Sequence, residues 1–117
     1  MAIFKKKPLE NEYEKAQTQM NQQSMGKASE RIFFDEVTGD DQKTLFYIDN
    51  LVKHRPVVLN FERVDVPTAN KVLAFLAGAV YALHGKTVKI DEKIYLFALA
   101  EEFLDSSLDK FIREVSN

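Results

Sequence analysis

Cysteine is absent from this 117-residue chain, which excludes disulfide scaffolds, thiol catalysis and cysteine-based zinc or iron–sulfur sites. Long apolar runs are missing too. The longest, at 72–83, has twelve residues, whereas a membrane-spanning helix needs about 18 or more. The chain starts without the apolar segment and cleavage site of a secretory signal, so we expect it to stay in the cytoplasm.

Signals for catalysis and cofactor binding are equally scarce. The four glycines are not arranged as a phosphate-binding loop. His54 and His84 fall at predicted helix ends, where a cation complements the helix dipole, and neither has an acidic or histidine companion at ligand spacing. We interpret acidic pairs such as Glu101-Glu102 as solvated turn residues. The sequence therefore predicts no enzyme, no metal site and no cofactor.

Charge and composition divide the chain into three zones. Residues 1–7 (MAIFKKK) join an apolar patch to three lysines, and residues 8–30 form a polar segment with too few apolar groups to offset the entropy of ordering. We predict a flexible linker at 8–30 and a folded domain at 31–117. The formal net charge is −2 and the domain carries no basic stripe, so nucleic acid is not an expected partner.

The folded zone alternates strand and helix patterns. The clearest helix pattern follows the helix-opening Pro67 and places six apolar residues on one face: Val72, Phe75, Leu76, Ala79, Val80 and Leu83. We predict that Gly85 ends this helix in the left-handed conformation. The order β-α-β-α-β-β, followed by a terminal amphipathic helix at 105–115, predicts a small α/β sandwich with both main helices on one face of the sheet.

Two features predict self-association into a homodimer or higher oligomer. Ala74, Gly78 and Ala82 form a row of small residues on the central helix, typical of close helix–helix contact; the alternative is that this row simply packs against the first helix. The last strand, 94–99, is apolar on both faces, so the face without helices needs a cover. A second subunit and the terminal helix are the competing covers.

The first seven residues predict weak, reversible attachment to an anionic membrane surface. Burial of Ile3 and Phe4, next to Met1, contributes roughly 1.5–3 kcal/mol for each large side chain. The three cations Lys5, Lys6 and Lys7 add on the order of 1 kcal/mol each near anionic lipid. Self-association would strengthen such weak contacts through avidity. The competing interpretation is an unstructured start that carries lysines by chance.

Beyond these patterns, the sequence resembles a known family. The strand run at 56–64 (PVVLNFERV), the helix run at 72–86 (VLAFLAGAVYALHGK) and the hairpin at 88–97 are similar to the SepF cell-division family. The similarity covers roughly residues 31–100. Its most specific part is the pattern Phe-Leu-x-Gly-x-x-Tyr-Ala-Leu-x-Gly at 75–85.

This resemblance implies a non-enzymatic adaptor in septum assembly. Proteins similar to SepF bind the carboxy-terminal tail of the tubulin-like protein FtsZ, self-associate, and attach to the inner face of the membrane at the division site through an amino-terminal segment. Carried over to this chain, residues 1–7 become the anchor and the folded domain becomes the binding and assembly core. Four residues are the predicted tail-binding set: Lys86, Lys89, Tyr95 and Phe97.

A phospho-switch domain of the anti-sigma-factor-antagonist type is the alternative. The strand centre at Val57-Val58-Leu59, followed by a helix, is superficially similar to the central unit of such domains. Thr68 lies near the helix start, where the phosphorylated residue is expected, but without the surrounding Asp-Ser-Gly-like context. Phosphate transfer to Thr68 by a partner kinase would support this alternative.

Overall fold

The computed structural model describes residues 26–116. The predicted anchor at 1–7 and most of the predicted linker lie outside this range. Within this range, four strands, three α-helices and two 3₁₀ turns follow one another. They are the first 3₁₀ turn (Ala28–Glu30), β1 (Phe33–Glu36), α1 (Asp41–Val52), β2 (Val57–Asn60), α2 (Val66–Ala82), β3 (Gly85–Asp91), β4 (Ile94–Leu99), the second 3₁₀ turn (Ala100–Phe103) and α3 (Ser107–Val115).

The four strands form one mixed sheet in the order β1-β2-β4-β3. β1 runs parallel to β2, with α1 as the crossover, whereas β4 is antiparallel to both of its neighbours. The register places Leu59 opposite Tyr95 and Val58 opposite Leu96. The predicted α/β fold and the predicted order of elements are therefore confirmed.

Both main helices pack on one face of the sheet, as predicted. Val57, Leu59 and Phe61 point toward this face and are buried with Phe97. The helices contribute one further buried set from their apolar stripes: Tyr47, Leu51, Val72, Leu76 and Val80. Alternation along β2 thus divides the side chains between two separate cores.

Side chains at the helix ends explain where the helices begin and end. The Asp40 carboxylate accepts the Gln42 N–H at 2.9 Å, and the Asp65 carboxylate accepts the Thr68 N–H at 2.9 Å, so each Asp caps a helix amino terminus. At the end of α2 the prediction for Gly85 is wrong. His84 is the left-handed residue, with φ of 61°, and Gly85 is the first residue of β3. Glycine is needed there for space, because a Cβ would lie 2.5 Å from the Ala98 carbonyl oxygen.

The second face of the sheet is covered by α3 and the first 3₁₀ turn, here called the cap. Leu108 of α3 and Ala28 of the turn are fully buried against Val58, Leu96 and Ala98. Of the two predicted covers, the terminal helix is thus the one seen in the described chain. Ala28 lies within the predicted 8–30 linker, so the packed domain extends three residues further toward the amino terminus than predicted.

Candidate functional site

The predicted tail-binding residues do not share one face of the sheet. Lys89 pairs directly with Tyr95 across β3 and β4, and Tyr95 packs with the helix-side core. Lys86 pairs with Ala98, which belongs to the cap side, and its ammonium lies 4.6 Å from the centre of the Phe103 ring. The structure therefore brings Lys89 and Tyr95 together and places Lys86 on the opposite face.

Aromatic packing fixes the position of Tyr95. Its ring contacts Phe61 edge-on at 5.7 Å between ring centres and stacks on Phe97 at 6.5 Å. Phe97 has no exposed surface, whereas Tyr95 is only partly buried. Of the two aromatic residues in the predicted set, Tyr95 is thus the one accessible to a peptide, and the buried Phe97 ring packs against it.

The row of small residues lies on the outer surface of α2. Ala74, Gly78 and Ala82 are all exposed, and no described atom lies within 4 Å of a Cβ built at Gly78. Packing of this row against α1, the alternative interpretation, is therefore wrong. Small residues on an exposed helix face leave room for the backbone of another molecule to approach closely.

Large apolar side chains flank this row. Phe75 of α2 is 50% exposed and Leu45 of α1 is 55% exposed, and both line a groove of about 460 Å³ between the two helices. Together with the small row they form one apolar surface, here called the outer helix face: Leu45, Ala74, Phe75, Gly78 and Ala82. Asp41 and Lys71 border the groove and form an exposed ion pair at 3.5 Å.

A partly buried polar contact ties α1 to the edge strand β1. The Asp35 carboxylate accepts hydrogen bonds from the Tyr47 hydroxyl and the Lys43 ammonium, both at 2.7 Å. Burial, together with the adjacent carboxylate, raises the pKa of Tyr47. Partial burial raises the pKa of Asp35, but the two hydrogen bonds outweigh it and the pKa is lowered overall. This contact holds the helix that carries Leu45.

A second polar cluster was not anticipated from the sequence. Glu102 is 2% exposed, so the interpretation of Glu101-Glu102 as a solvated pair is wrong for this residue. The Arg31 guanidinium donates to Glu102 at 2.6 Å, and His54 Nδ1 lies 2.9 Å from the other oxygen of the same carboxylate. His54 and Glu102 are 48 residues apart, so no local spacing could have indicated their contact.

The predicted anchor, with Met1, Ile3, Phe4 and the three lysines, lies outside the described residues. Within 26–116, no helix combines the length and the apolarity needed to cross a bilayer. Thr68 lies in the first turn of α2, where its backbone N–H donates to the carboxylate of the N-cap residue Asp65.

Comparison with known proteins identifies the family. The model of the family "Cell division protein SepF" matches residues 42–101, which is half of the chain. The chain belongs to the SepF family. A relative named "Cell division protein SepF" from Carboxydothermus hydrogenoformans is 37% identical over 78 residues, covering 67% of this chain and 52% of the relative.

Further SepF relatives come from diverse organisms. "Cell division protein SepF" of Lacticaseibacillus casei is 28% identical over 101 residues, covering 86% of this chain and 66% of that protein. "Cell division protein sepF homolog" of Cyanophora paradoxa is 48% identical over 50 residues, covering 43% of this chain and 46% of the homologue. The chain thus spans about half to two thirds of the length of these curated relatives.

The region shared with the SepF family contains the candidate surfaces but not the whole fold. The match from 42 to 101 includes the outer helix face, Lys89 and Tyr95, whereas β1 and α3 lie outside it. The prediction of a cell-division protein is confirmed at this level. Membership of the SepF family also favours the adaptor interpretation over the phospho-switch alternative.

Proposed function

We propose that this SepF-family chain is a non-enzymatic cell-division adaptor. In this proposal it binds the carboxy-terminal tail of FtsZ, self-associates, and attaches to the inner surface of the membrane at the division site. The observation that carries the proposal is the family match together with an exposed apolar face inside the matched region. Large exposed apolar patches typically mark interaction sites.

The proposed tail-binding surface is centred on Lys89 and Tyr95. An exposed cation beside a half-buried aromatic ring suits a short peptide that carries both an acidic group and apolar side chains. Phe61 and Phe97 hold the Tyr95 ring in place, so little side-chain freedom is lost on binding. Lys86 is on the other face, so we expect it to contribute less than Lys89.

Peptide binding with face-specific variants tests this surface. Fluorescence anisotropy with a synthetic FtsZ tail peptide compares the full chain with the double variant Lys89→Glu and Tyr95→Ala. We expect the double variant to lose binding and the matched Lys86→Glu variant to retain it. If Lys86→Glu and Lys89→Glu lose peptide affinity equally, the binding site lies along the edge of the sheet and not on the face of Tyr95. Unchanged peptide affinity of the double variant would reject the proposed surface.

The proposed self-association surface is the outer helix face. Its small residues permit close approach, while Leu45 and Phe75 provide apolar area at the groove between α1 and α2. The second face of the sheet is already covered by the cap, so a partner there would have to displace α3. A symmetric dimer through α1 and α2 would bury the same patch on both subunits.

Light scattering after size exclusion tests this choice of face. Gly78→Arg introduces a long charged side chain where no described atom lies within 4 Å, so the monomer fold should survive. We expect this variant to be monomeric. The matched variant Leu104→Arg, at a 73% exposed residue beside the cap, should keep the wild-type mass. The opposite pattern would place the interface at the cap.

The proposed membrane attachment rests on residues 1–7. Burial of Ile3 and Phe4 and attraction of the three lysines to anionic lipid give one copy a weak affinity for the membrane. Self-association raises the overall affinity, because several anchors then bind together. Co-sedimentation with anionic liposomes compares the full chain with a version that lacks residues 1–7. We expect only the full chain to carry FtsZ tail peptide to the liposomes, and equal sedimentation of both versions would reject the anchor.

A further inference from the structure

A histidine and two glutamates meet where the α1–β2 connection touches the second 3₁₀ turn. His54 Nδ1 lies 2.9 Å from Glu102 Oε2 and 3.7 Å from Glu101 Oε1. One ligand atom from each residue lies within 4.8 Å of the other two. We propose that these three side chains form a binding site for a divalent transition metal such as Zn²⁺, independent of the adaptor function.

The spacing of the three side chains suits tetrahedral coordination. Ligand atoms about 2.0–2.2 Å from a tetrahedral zinc ion lie roughly 3.3–3.6 Å from one another. The two distances from His54 Nδ1 bracket this value, and all three ligand atoms lie within 4.8 Å of one another, so the ion requires only side-chain adjustment. Imidazole nitrogen and carboxylate oxygen are both common zinc ligands, and three protein ligands leave a fourth position for water.

Arg31 orients two of the three ligands. Its Nη2 donates to Glu102 Oε1 at 2.6 Å, which leaves Oε2 directed at His54. Its Nε donates to the backbone carbonyl of His54 at 2.9 Å. His54 has a left-handed φ of 65°, and the bond from Arg31 supports this backbone conformation. Hydrogen bonds from outside the ligand set typically fix ligand orientation at metal sites.

Burial and charge at the site also suit a cation. The Glu102 and Arg31 side chains are 1% and 10% exposed, while His54 and Glu101 open the site to solvent and provide an entry path. With a neutral imidazole, the two carboxylates and one guanidinium leave an excess negative charge. A divalent cation held by the three side chains would compensate this charge.

Calorimetry with the chelator-treated full chain and ZnCl₂ tests the proposal at neutral pH. We expect one Zn²⁺ per chain and a higher Tm with Zn²⁺. His54→Asn removes the imidazole but should preserve the fold, because asparagine tolerates the left-handed backbone conformation at this position. Glu101→Gln removes one carboxylate at a partly exposed side chain, so it should also leave the fold intact. Each variant should lose at least about tenfold in affinity, and circular dichroism checks that both remain folded.

His84→Asn is the matched control. His84 is the other histidine in the chain, also ends a helix in the left-handed conformation, and is exposed. We expect its substitution to leave Zn²⁺ binding unchanged. The proposal is overturned if the wild-type chain shows neither heat of binding nor a shift in Tm. Equal losses for His84→Asn and His54→Asn, or wild-type affinity for folded Glu101→Gln, would also overturn it.

Discussion

The two faces of the sheet are closed by different means. On the helix side, two helices place a continuous set of large apolar side chains, such as Leu51 and Leu76, against β2 and β4. On the cap side, one nine-residue helix and a three-residue turn bury fewer and smaller groups, such as Ala28 and Ala98. The cap is held in addition by hydrogen bonds and ion pairs between segments far apart in the chain.

This difference indicates how each face depends on the sequence. Hydrophobic stabilisation is non-directional, so the helix side depends mainly on how much apolar area it buries. The cap depends on directional contacts such as Asp105 to the Ala28 N–H at 2.9 Å, and Arg31 to Glu102. Each such contact contributes little net free energy when made, but leaving a buried partner unsatisfied is costly.

Truncating one leucine on each face gives the largest expected effect. Leu76 and Leu108 are both fully buried. We expect Leu76→Ala to lower the free energy of unfolding by about 3–5 kcal/mol, because the helix side cannot collapse around the cavity. Leu108→Ala should cost about 2 kcal/mol, because α3 can undock instead. Urea unfolding measures both, and equal losses would contradict the difference between the faces.

Arg31→Met tests the ion pair that holds the cap. This change leaves the buried Glu102 carboxylate without its guanidinium partner, so we expect a loss of about 2–3 kcal/mol and faster amide exchange in α3. Arg63→Met is the matched control, because its pair with Glu36 is exposed, and it should cost less than about 0.5 kcal/mol. Similar losses for the two variants would mean that the Arg31 pair does not hold the cap.

Acid should weaken the cap through Asp105. Partial burial raises its pKa, but hydrogen bonds from the Ala28 N–H and from Ser107 outweigh burial, so the pKa is below the ordinary 3.8. A lowered pKa means that the stabilisation is complete above pH 3.8 and is lost as the pH falls through the folded-state value. Asp105→Asn should cost about 1 kcal/mol at pH 7, after allowance for solvent screening, and nothing at low pH.

Thermal unfolding from pH 7 to about pH 2 measures this dependence. Asp49→Asn, at an exposed position on α1, is the control and should have a smaller effect at pH 7. A cost for Asp105→Asn that stays constant across the pH range would show that the amide, rather than the charge, is responsible.

The smallest expected change in stability comes from a substitution at Gly78 on the outer helix face. Gly78→Ala should raise the free energy of unfolding by about 0.5 kcal/mol, because alanine is a better helix former and its Cβ meets no described atom within 4 Å. Gly85→Ala, by contrast, should destabilise the chain through its clash with the Ala98 carbonyl. Chemical denaturation of monomeric protein tests both, and a loss for Gly78→Ala would mean that this face is packed within the monomer.

The sequence predicted the helix side well because its patterns are local. The bounds of β4 are as predicted, and Val72, Leu76 and Val80 of the predicted stripe are buried, as the helix period implies. The prediction is wrong for Phe75 and Leu83, which belong to the same predicted stripe but lie at its edge and are exposed. The β2 prediction to Val64 was too long. The Asn60 side chain accepts the Glu62 N–H at 2.8 Å and turns the chain at that point.

The cap and the face of each candidate residue could not be predicted in the same way. Lys86 and Lys89 are three residues apart in β3, so the strand period already implies opposite faces, whereas which of the two faces each one takes depends on the pairing of β3 with β4. The His54–Glu102 contact joins residues that no local pattern relates. Such contacts depend on how the strands pair in the folded sheet, so they cannot be predicted from local sequence patterns.

The position of α3 at the end of the described chain has a consequence for synthesis on the ribosome. Every described strand of the sheet leaves the exit tunnel before α3 does, because α3 follows β4 along the chain. At roughly 5–20 residues per second, the nascent sheet then spends on the order of a second with Val58 and Leu96 uncovered. During that interval we expect the nascent chain to be most susceptible to chaperone capture and to mispairing with its neighbours on the same messenger.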